Sequence, residues 1–173
     1  MRRRLLASVA VLVAVLLLVA VPTVSGKKPG QILDFQSMVG VPKALGGAAG
    51  SIRGIPGAGL PWVVDSAKGD LSASGVLEVK VNGLVIDPND PDAIARGVAG
   101  TNPSPMFRAV VSCLAADGTS QNVFSDPFPA TTGLGGGDAK AEVQLTLPQP
   151  CIAPIVLVTT PAGTGAWFAA TGG

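Results

Sequence analysis

Oxygen-bearing side chains are densest in the segment IDPNDPD, residues 86–92. Four of them could offer oxygen ligands to a cation: Asp87, Asn89, Asp90 and Asp92. Calcium in proteins takes six to eight oxygen ligands, with carboxylates and backbone carbonyls the usual sources. The segment is therefore a candidate calcium site, and calcium is the only cofactor that the sequence suggests.

The spacing within this segment favours a different structure. A hand-type calcium loop needs glycine at its sixth position and glutamate at its twelfth. Counted from Asp87, these positions hold Asp92 and Val98. Asp90 followed by Pro91 instead fits the N-cap and the first position of a short helix, and aspartate and asparagine are ordinary turn formers. We therefore prefer a capped turn to a metal site.

Two tryptophans are conspicuous because aromatic residues make up only 4% of the chain. Neighbouring residues of a strand point to opposite faces, so one of Trp167 and Phe168 could be exposed. An exposed tryptophan can stack on a sugar ring or anchor a protein partner, whereas a buried one fills the core, which is the interpretation we prefer. Trp62, Trp167 and Arg96 are the candidate binding residues, for an envelope or extracellular protein or a glycan that the sequence does not identify.

Several catalytic classes are excluded by composition, because the chain contains no histidine and no tyrosine. Ser-His-Asp and Cys-His catalysis and histidine-ligated metal sites all need an imidazole. Paired carboxylates could still hydrolyse glycosides, with Asp65, Asp70, Glu78 and Glu142 as the candidates. Glu78 and Glu142 fall at solvent-facing positions of predicted strands, so we name no catalytic residue and expect a protein that is not an enzyme.

The N-terminal residues indicate export. Three arginines precede an apolar run, Leu5–Val21, and small residues follow it before Lys27. This is the order of parts in a secretory signal peptide, so we assign residues 1–26 to a signal helix. An uncleaved membrane anchor is the alternative, and it would be the chain's only contact with a membrane.

Charge and cysteine content agree with an exported protein. Without Arg2, Arg3 and Arg4, nine basic residues face eleven acidic ones, and this weakly acidic balance argues against nucleic-acid binding. Cys113 and Cys151 are the two cysteines, and in an exported chain an even number predicts a disulfide. Either neighbouring strands or two sheets could be joined by this bond.

Short strands and tight turns dominate the rest of the chain. Leu77, Val79 and Val81 alternate with polar residues, as do the residues of 139–147, and this period of two predicts half-buried strands. Residues 106–118 are apolar on both faces, which predicts a central strand. We predict an all-β fold, an antiparallel β-sandwich of about seven to eight short strands, immunoglobulin-like or jelly-roll-like. Residues 27–50 form a flexible lead-in to a single domain at residues 51–173.

These features predict an exported, non-catalytic β-sandwich protein of the cell envelope or extracellular space, acting as a structural or interaction module. Its alanine-, glycine- and valine-rich composition is typical of bacterial exported proteins. A small-ligand or calcium-binding secreted module is the first alternative, and a small secreted carboxylate-dependent hydrolase is the second.

Overall fold

The structure is a computed structural model that describes residues 30–171, most of which lie in β-strands. The strands are β1 (Gln31–Phe35), β2 (Met38–Gly40), β3 (Gly47–Ile52), β4 (Ile55–Gly57), β5 (Trp62–Val63), β6 (Ser66–Ser72), β7 (Val76–Asn82), β8 (Val85–Ile86), β9 (Thr101–Asn102), β10 (Met106–Leu114), β11 (Ser120–Phe124), β12 (Phe128–Pro129), β13 (Gly133–Leu134), β14 (Ala139–Gln144), β15 (Ile152–Thr159) and β16 (Trp167–Thr171). Two short helical segments complete the set, a 3₁₀ turn at Lys43–Leu45 and helix α1 at Pro91–Ala95.

A four-stranded antiparallel sheet, called the small sheet below, has the strand order β1-β6-β7-β14. The predicted alternation is confirmed in β7, where Leu77, Val79 and Val81 are buried. A tight turn joins β6 and β7. Gly75 occupies it with a positive φ of 91°, a backbone conformation that glycine adopts without steric cost. The alternation in β7 makes one face of the small sheet apolar and leaves the other polar.

An eight-stranded sheet, called the large sheet below, has the order β11-β10-β15-β16-β4-β3, with β12 beside β10 and β2 beside β16. Strand β10 is almost wholly buried, as its two apolar faces predict. Nearly all pairs are antiparallel, and the exception is β16 with β4, which run parallel. Two further pairs, β5 with β8 and β9 with β13, form separate two-stranded ribbons.

The strands are more numerous and shorter than the seven or eight predicted. The chain leaves β5 after Val63 and begins a separate strand, β6, at Ser66. The residues after Gly83, which has a positive φ of 61°, likewise form their own strand, β8. The described residues thus contain sixteen strands, most of them short.

One hydrophobic cluster collects buried residues from both sheets. Leu71 and Leu77 enter it from the small sheet, and Phe107 and Val156 enter it from the large sheet, each 0% exposed. Burial of side chains of this size stabilises the folded state by about 1.5–3 kcal/mol each before entropy is counted. This shared core holds the two sheets in contact.

The prediction of a flexible lead-in is wrong for residues 31–50. Strand β1 pairs with β6, and β2 pairs with β16. Met38 and Val41 are buried in the core. Gly40 and Gly50 are sites where two backbones meet: a Cβ at Gly40 would overlap the carbonyl of Trp62, and one at Gly50 would overlap the carbonyl of Leu45.

The predicted signal helix, residues 1–26, lies outside the described residues, as do residues 27–29 and 172–173. Among residues 30–171 the structure contains no helix with the length and apolar character needed to span a membrane.

The predicted disulfide between Cys113 and Cys151 is confirmed, with 4.9 Å between the two Cα atoms. It joins β10 to the residue that precedes β15, and these two strands are direct neighbours in the large sheet. The bond therefore links neighbouring strands of one sheet, the first of the two possibilities left open by the sequence.

Candidate functional site

The oxygen-rich segment at residues 86–92 forms the predicted capped turn. Asp90 is the N-cap of α1, and its Oδ1 accepts a hydrogen bond of 2.9 Å from the backbone N–H of Ala93. Pro91 takes the first helical position, where no backbone N–H is needed. The Oδ1 of Asp87 accepts from the N–H of Asn89 at 2.8 Å. Two of the four candidate oxygen ligands are thus used by the turn itself.

Lys43 supplies a cation to the same segment from a distant part of the chain. Its Nζ lies 2.9 Å from Asp90 Oδ2 and 2.9 Å from Asp92 Oδ2. The hydrogen bond from Lys43 holds the pKa of the Asp90 carboxyl below its ordinary value, against the opposing effect of burial. The pKa of Lys43 is raised by its hydrogen bonds to the two carboxylates, of which the bond to Asp92 has the larger effect and the bond to Asp90 the next largest. The two carboxylates and the ammonium form one charge-paired cluster.

This cluster bears directly on the calcium hypothesis. A calcium ion bound by Asp90 and Asp92 would have to displace Lys43, because the ammonium already lies between their oxygens. Within residues 30–171, no three or more histidine, cysteine, aspartate or glutamate side chains are placed to hold a metal ion. The arrangement can stabilise the turn and connect it to the 3₁₀ turn at Lys43–Leu45.

The tryptophans lie inside the protein. Trp62 is 5% exposed and stacks on Phe168, with 4.0 Å between ring centroids. Trp167 is 2% exposed and donates from Nε1 to the carbonyl of Gly50 at 2.8 Å. Phe168 is 5% exposed, so both residues of the pair are buried, as the preferred core interpretation expects, because β16 is an inner strand of the large sheet and both of its faces are covered.

Neither tryptophan therefore presents its ring to a partner in this structure, and both belong to the core cluster. Arg96 is exposed at the C-cap of α1, where its backbone N–H donates to the carbonyl of Asp92 at 3.1 Å. It remains a candidate binding residue, but the structure does not bring it together with Trp62 or Trp167.

The most ordered display of exposed charge is the polar face of the small sheet. Four carboxylates stand directly opposite one another across the four strands, in an order that we call the acidic row: Asp34, Asp70, Glu78 and Glu142. Three lysines do the same across β6, β7 and β14, and we call them the lysine row: Lys68, Lys80 and Lys140. Together the two rows make up the charged face.

The two rows are parallel because of how the strands alternate in direction. Each of β6, β7 and β14 contributes one lysine and one carboxylate two residues apart, and antiparallel pairing brings lysine beside lysine and acid beside acid. Two residues along a strand span about 7 Å, which is the separation of the rows. An open depression of about 540 Å³ lies over the charged face and is lined by residues of both rows.

The ion pair between Lys140 and Glu78 on the charged face is diagonal and weak. Lys140 Nζ lies 4.0 Å from Glu78 Oε1, with 65% and 42% of the two side chains exposed. Exposed ion pairs of this kind contribute about 0–1 kcal/mol. Direct cross-strand neighbours are closer than diagonal ones, and like charges directly opposite each other destabilise a sheet. The Lys140–Glu78 pair therefore adds little to the stability of the monomer.

The charged face also brings together three of the carboxylates considered for a hydrolase, Asp70, Glu78 and Glu142, while Asp65 lies elsewhere. A glycosidase general acid must stay protonated near neutral pH, which enzymes achieve by burying the carboxyl. Glu78 is 42% exposed and Glu142 is also exposed. The geometry is better suited to charge recognition than to proton transfer.

Sequence reasoning missed the rows, although it placed Glu78, Lys80 and Glu142 on the solvent face correctly. A signal was available in the spaced pairs Lys68-Gly69-Asp70, Glu78-Val79-Lys80 and Lys140-Ala141-Glu142. Their order reverses in β7, as an antiparallel neighbour requires if like charges are to align. These pairs form rows because the strand registers place lysine opposite lysine and carboxylate opposite carboxylate.

No family model, curated protein or solved structure matches this chain. The functional interpretation therefore depends on the residues themselves, and above all on the charged face.

Proposed function

We propose that this chain is an exported, non-catalytic protein of the cell envelope or extracellular space that acts as an interaction module through its charged face. The observation that carries the proposal is the alignment of seven exposed or half-exposed charges in two rows on one sheet face. Surfaces of complementary charge give specificity and speed to association. The tryptophans serve the core, so the ordered charge is what this protein offers to a partner.

Export is supported by two independent features. The N-terminal residues have the basic, apolar and small-residue order of a signal peptide. The Cys113–Cys151 bond is of a kind that persists in oxidising compartments and is rare in a reducing cytosol.

The fold we propose for this module is a β-sandwich, with immunoglobulin-like or jelly-roll-like connections. It is supported by the shared core cluster, in which the apolar face of the small sheet meets residues of the large sheet. Contacts of β1 with β15 and of β2 with β6 also join the two sheets. In a sandwich the outer face of a sheet can meet solvent, as the charged face of the small sheet does.

Intact-mass measurement of the protein recovered from culture medium and from the envelope fraction tests the export half of the proposal. We expect a species corresponding to residues 27–173 less two hydrogens, which reports signal cleavage and the disulfide together. A full-length species that stays inside the cell with two free thiols would overturn the proposal. Reduction of the same sample is the control, because it should add two hydrogens to the mass if the Cys113–Cys151 bond is present.

A further inference from the structure

The register of the small sheet fixes the pattern of the charged face. On β6, β7 and β14 in turn, Lys68 accompanies Asp70, Lys80 accompanies Glu78, and Lys140 accompanies Glu142. The rows run across the strands, and adjacent strands are about 4.8 Å apart. A lysine row about 10 Å long therefore lies beside an acidic row about 14 Å long, with about 7 Å between them.

This pattern is not the one that best stabilises a single chain. If β7 carried its lysine and glutamate in the opposite order, each would stand directly between opposite charges on β6 and β14. As it is, Glu78 stands between Asp70 and Glu142, and Lys80 stands between Lys68 and Lys140. The directly opposite positions thus hold like charges, and a counter-charge placed directly over them would be favourable.

A second copy of the same face can supply that counter-charge. A two-fold axis lying in the plane of the face, parallel to the rows and midway between them, turns the partner's face over and exchanges its rows. Each lysine then faces the carboxylate two residues away on the same strand of the partner, such as Lys80 over Glu78. Such a self-complementary contact is the isologous interface of a symmetric dimer.

We propose that the charged face docks against the charged face of a second copy of this chain, with the lysine row of each copy over the acidic row of the other. This inference rests on the proposed function of the charged face as an interaction surface and names its partner. Three lysine–carboxylate pairs form from each copy, and Asp34 extends the acidic row at the β1 edge.

The size of the face sets the strength of the dimer. Four strands of five to seven residues present on the order of 400 Å² in projection, less than the about 800 Å² per partner of a stable interface. The dimer is therefore transient and held mainly by charge. Because the Debye length falls from about 30 Å at 0.01 M salt to about 3 Å at 1 M, it dissociates as salt is added.

Two complementary variants test the pairing. In K80E/K140E every charge at positions 78, 80, 140 and 142 is negative, and in E78K/E142K every one is positive. In sedimentation velocity at about 0.01 M salt we expect the wild type to dimerise and each variant alone to lose the dimer. An equimolar mixture of the two should regain it as a heterodimer, which also shows that both variants are folded.

Single substitutions control for net charge. Asp126→Lys lies at an exposed position in the loop after β11, away from the charged face, and changes the net charge by the same amount as Glu142→Lys. We expect D126K to dimerise like the wild type and E142K to dimerise less.

A wild type that stays monomeric at about 0.01 M salt and at the highest soluble concentration overturns the inference. So does a mixture of K80E/K140E and E78K/E142K that forms no heterodimer, or a wild-type dimer that persists unchanged at about 1 M salt. These measurements use purified, oxidised protein and do not depend on export. A secreted monomer would therefore refute the dimer alone, whereas a dimer retained in the cytosol would refute export alone.

Discussion

Lys43 and Asp90 form a salt bridge of 2.9 Å although 47 residues separate them in the chain. The carboxylate is 3% exposed while the lysine side chain is 58% exposed, so solvent reaches the pair from the lysine side only. The same carboxylate caps α1. The Asp90 side chain thus caps α1 and also connects the oxygen-rich turn to Lys43, in the segment before β3.

Replacing Lys43 by methionine should destabilise the protein and change its response to acid. The pKa of Asp90 is lowered in the folded state, so the pair stabilises the protein above the ordinary carboxyl pKa. That contribution is lost as pH falls from there through the lowered folded pKa. In K43M the melting temperature should be lower at neutral pH and should fall less steeply below about pH 4, as measured by circular dichroism. Equal acid dependence of the two proteins would contradict this assignment.

Calcium should have little effect on the wild-type protein. The ammonium of Lys43 lies between the oxygens of Asp90 and Asp92 that a calcium ion would need, and a ligand that binds only the folded state raises the melting temperature. We expect the same melting temperature with millimolar calcium and with a chelator. A rise of several degrees with calcium would restore the ion-site hypothesis for Asp87, Asn89, Asp90 and Asp92.

Gly50→Ala should distinguish a packed N-terminal segment from a flexible one. In a flexible segment the change is neutral or slightly stabilising, because alanine restricts the unfolded chain. In the structure a Cβ at Gly50 overlaps the carbonyl of Leu45, and such overpacking costs about 1–3 kcal/mol. Gly59→Ala is the matched control, since its Cβ would meet nothing within 4 Å. Denaturant midpoints of the two variants give the comparison.

Glu78→Lys should stabilise the monomer even though it removes a charge from the acidic row. The new lysine would stand directly between Asp70 and Glu142, and each cross-strand pair of opposite charge contributes about 0.2–1 kcal/mol. The loss of the 4.0 Å pair with Lys140 is small by comparison. Chemical denaturation at dilutions where the chain is monomeric measures the change. If E78K is less stable than the wild type, the like charges that face each other in the rows do not destabilise the monomer.

Local features were predictable from the sequence wherever they depend on neighbouring residues. The alternation of Leu77, Val79 and Val81 is confirmed because one face of β7 meets the core. The capped turn at Asp90 is confirmed because a cap needs only the next three residues. The disulfide followed from the cysteine count alone.

Features that depend on distant parts of the chain were missed or misjudged. The rows of the charged face require the registers of three strand pairs, and Lys43 reaches Asp90 from a segment with no pattern of its own. The glycines at positions 40 and 50 suggest mobility when considered singly, and only the positions of Trp62 and Leu45 show that they allow close packing. Trp167 is buried because β3 and its Gly50 cover it, a layer that the sequence did not predict.

The place of β16 has a consequence for the timing of folding. Its residue Ala169 pairs with Gly40, about 130 residues earlier, and Trp167 pairs with Gly57. Neither β2 nor β4 can take its position in the large sheet until β16 is available, and sheets dominated by such long-range pairings fold slowly. If the chain emerges gradually with its N-terminus first, β2 and β4 stay out of the large sheet until β16 has followed them. The order of strand pairing therefore delays completion of the large sheet until β16 is free to pair.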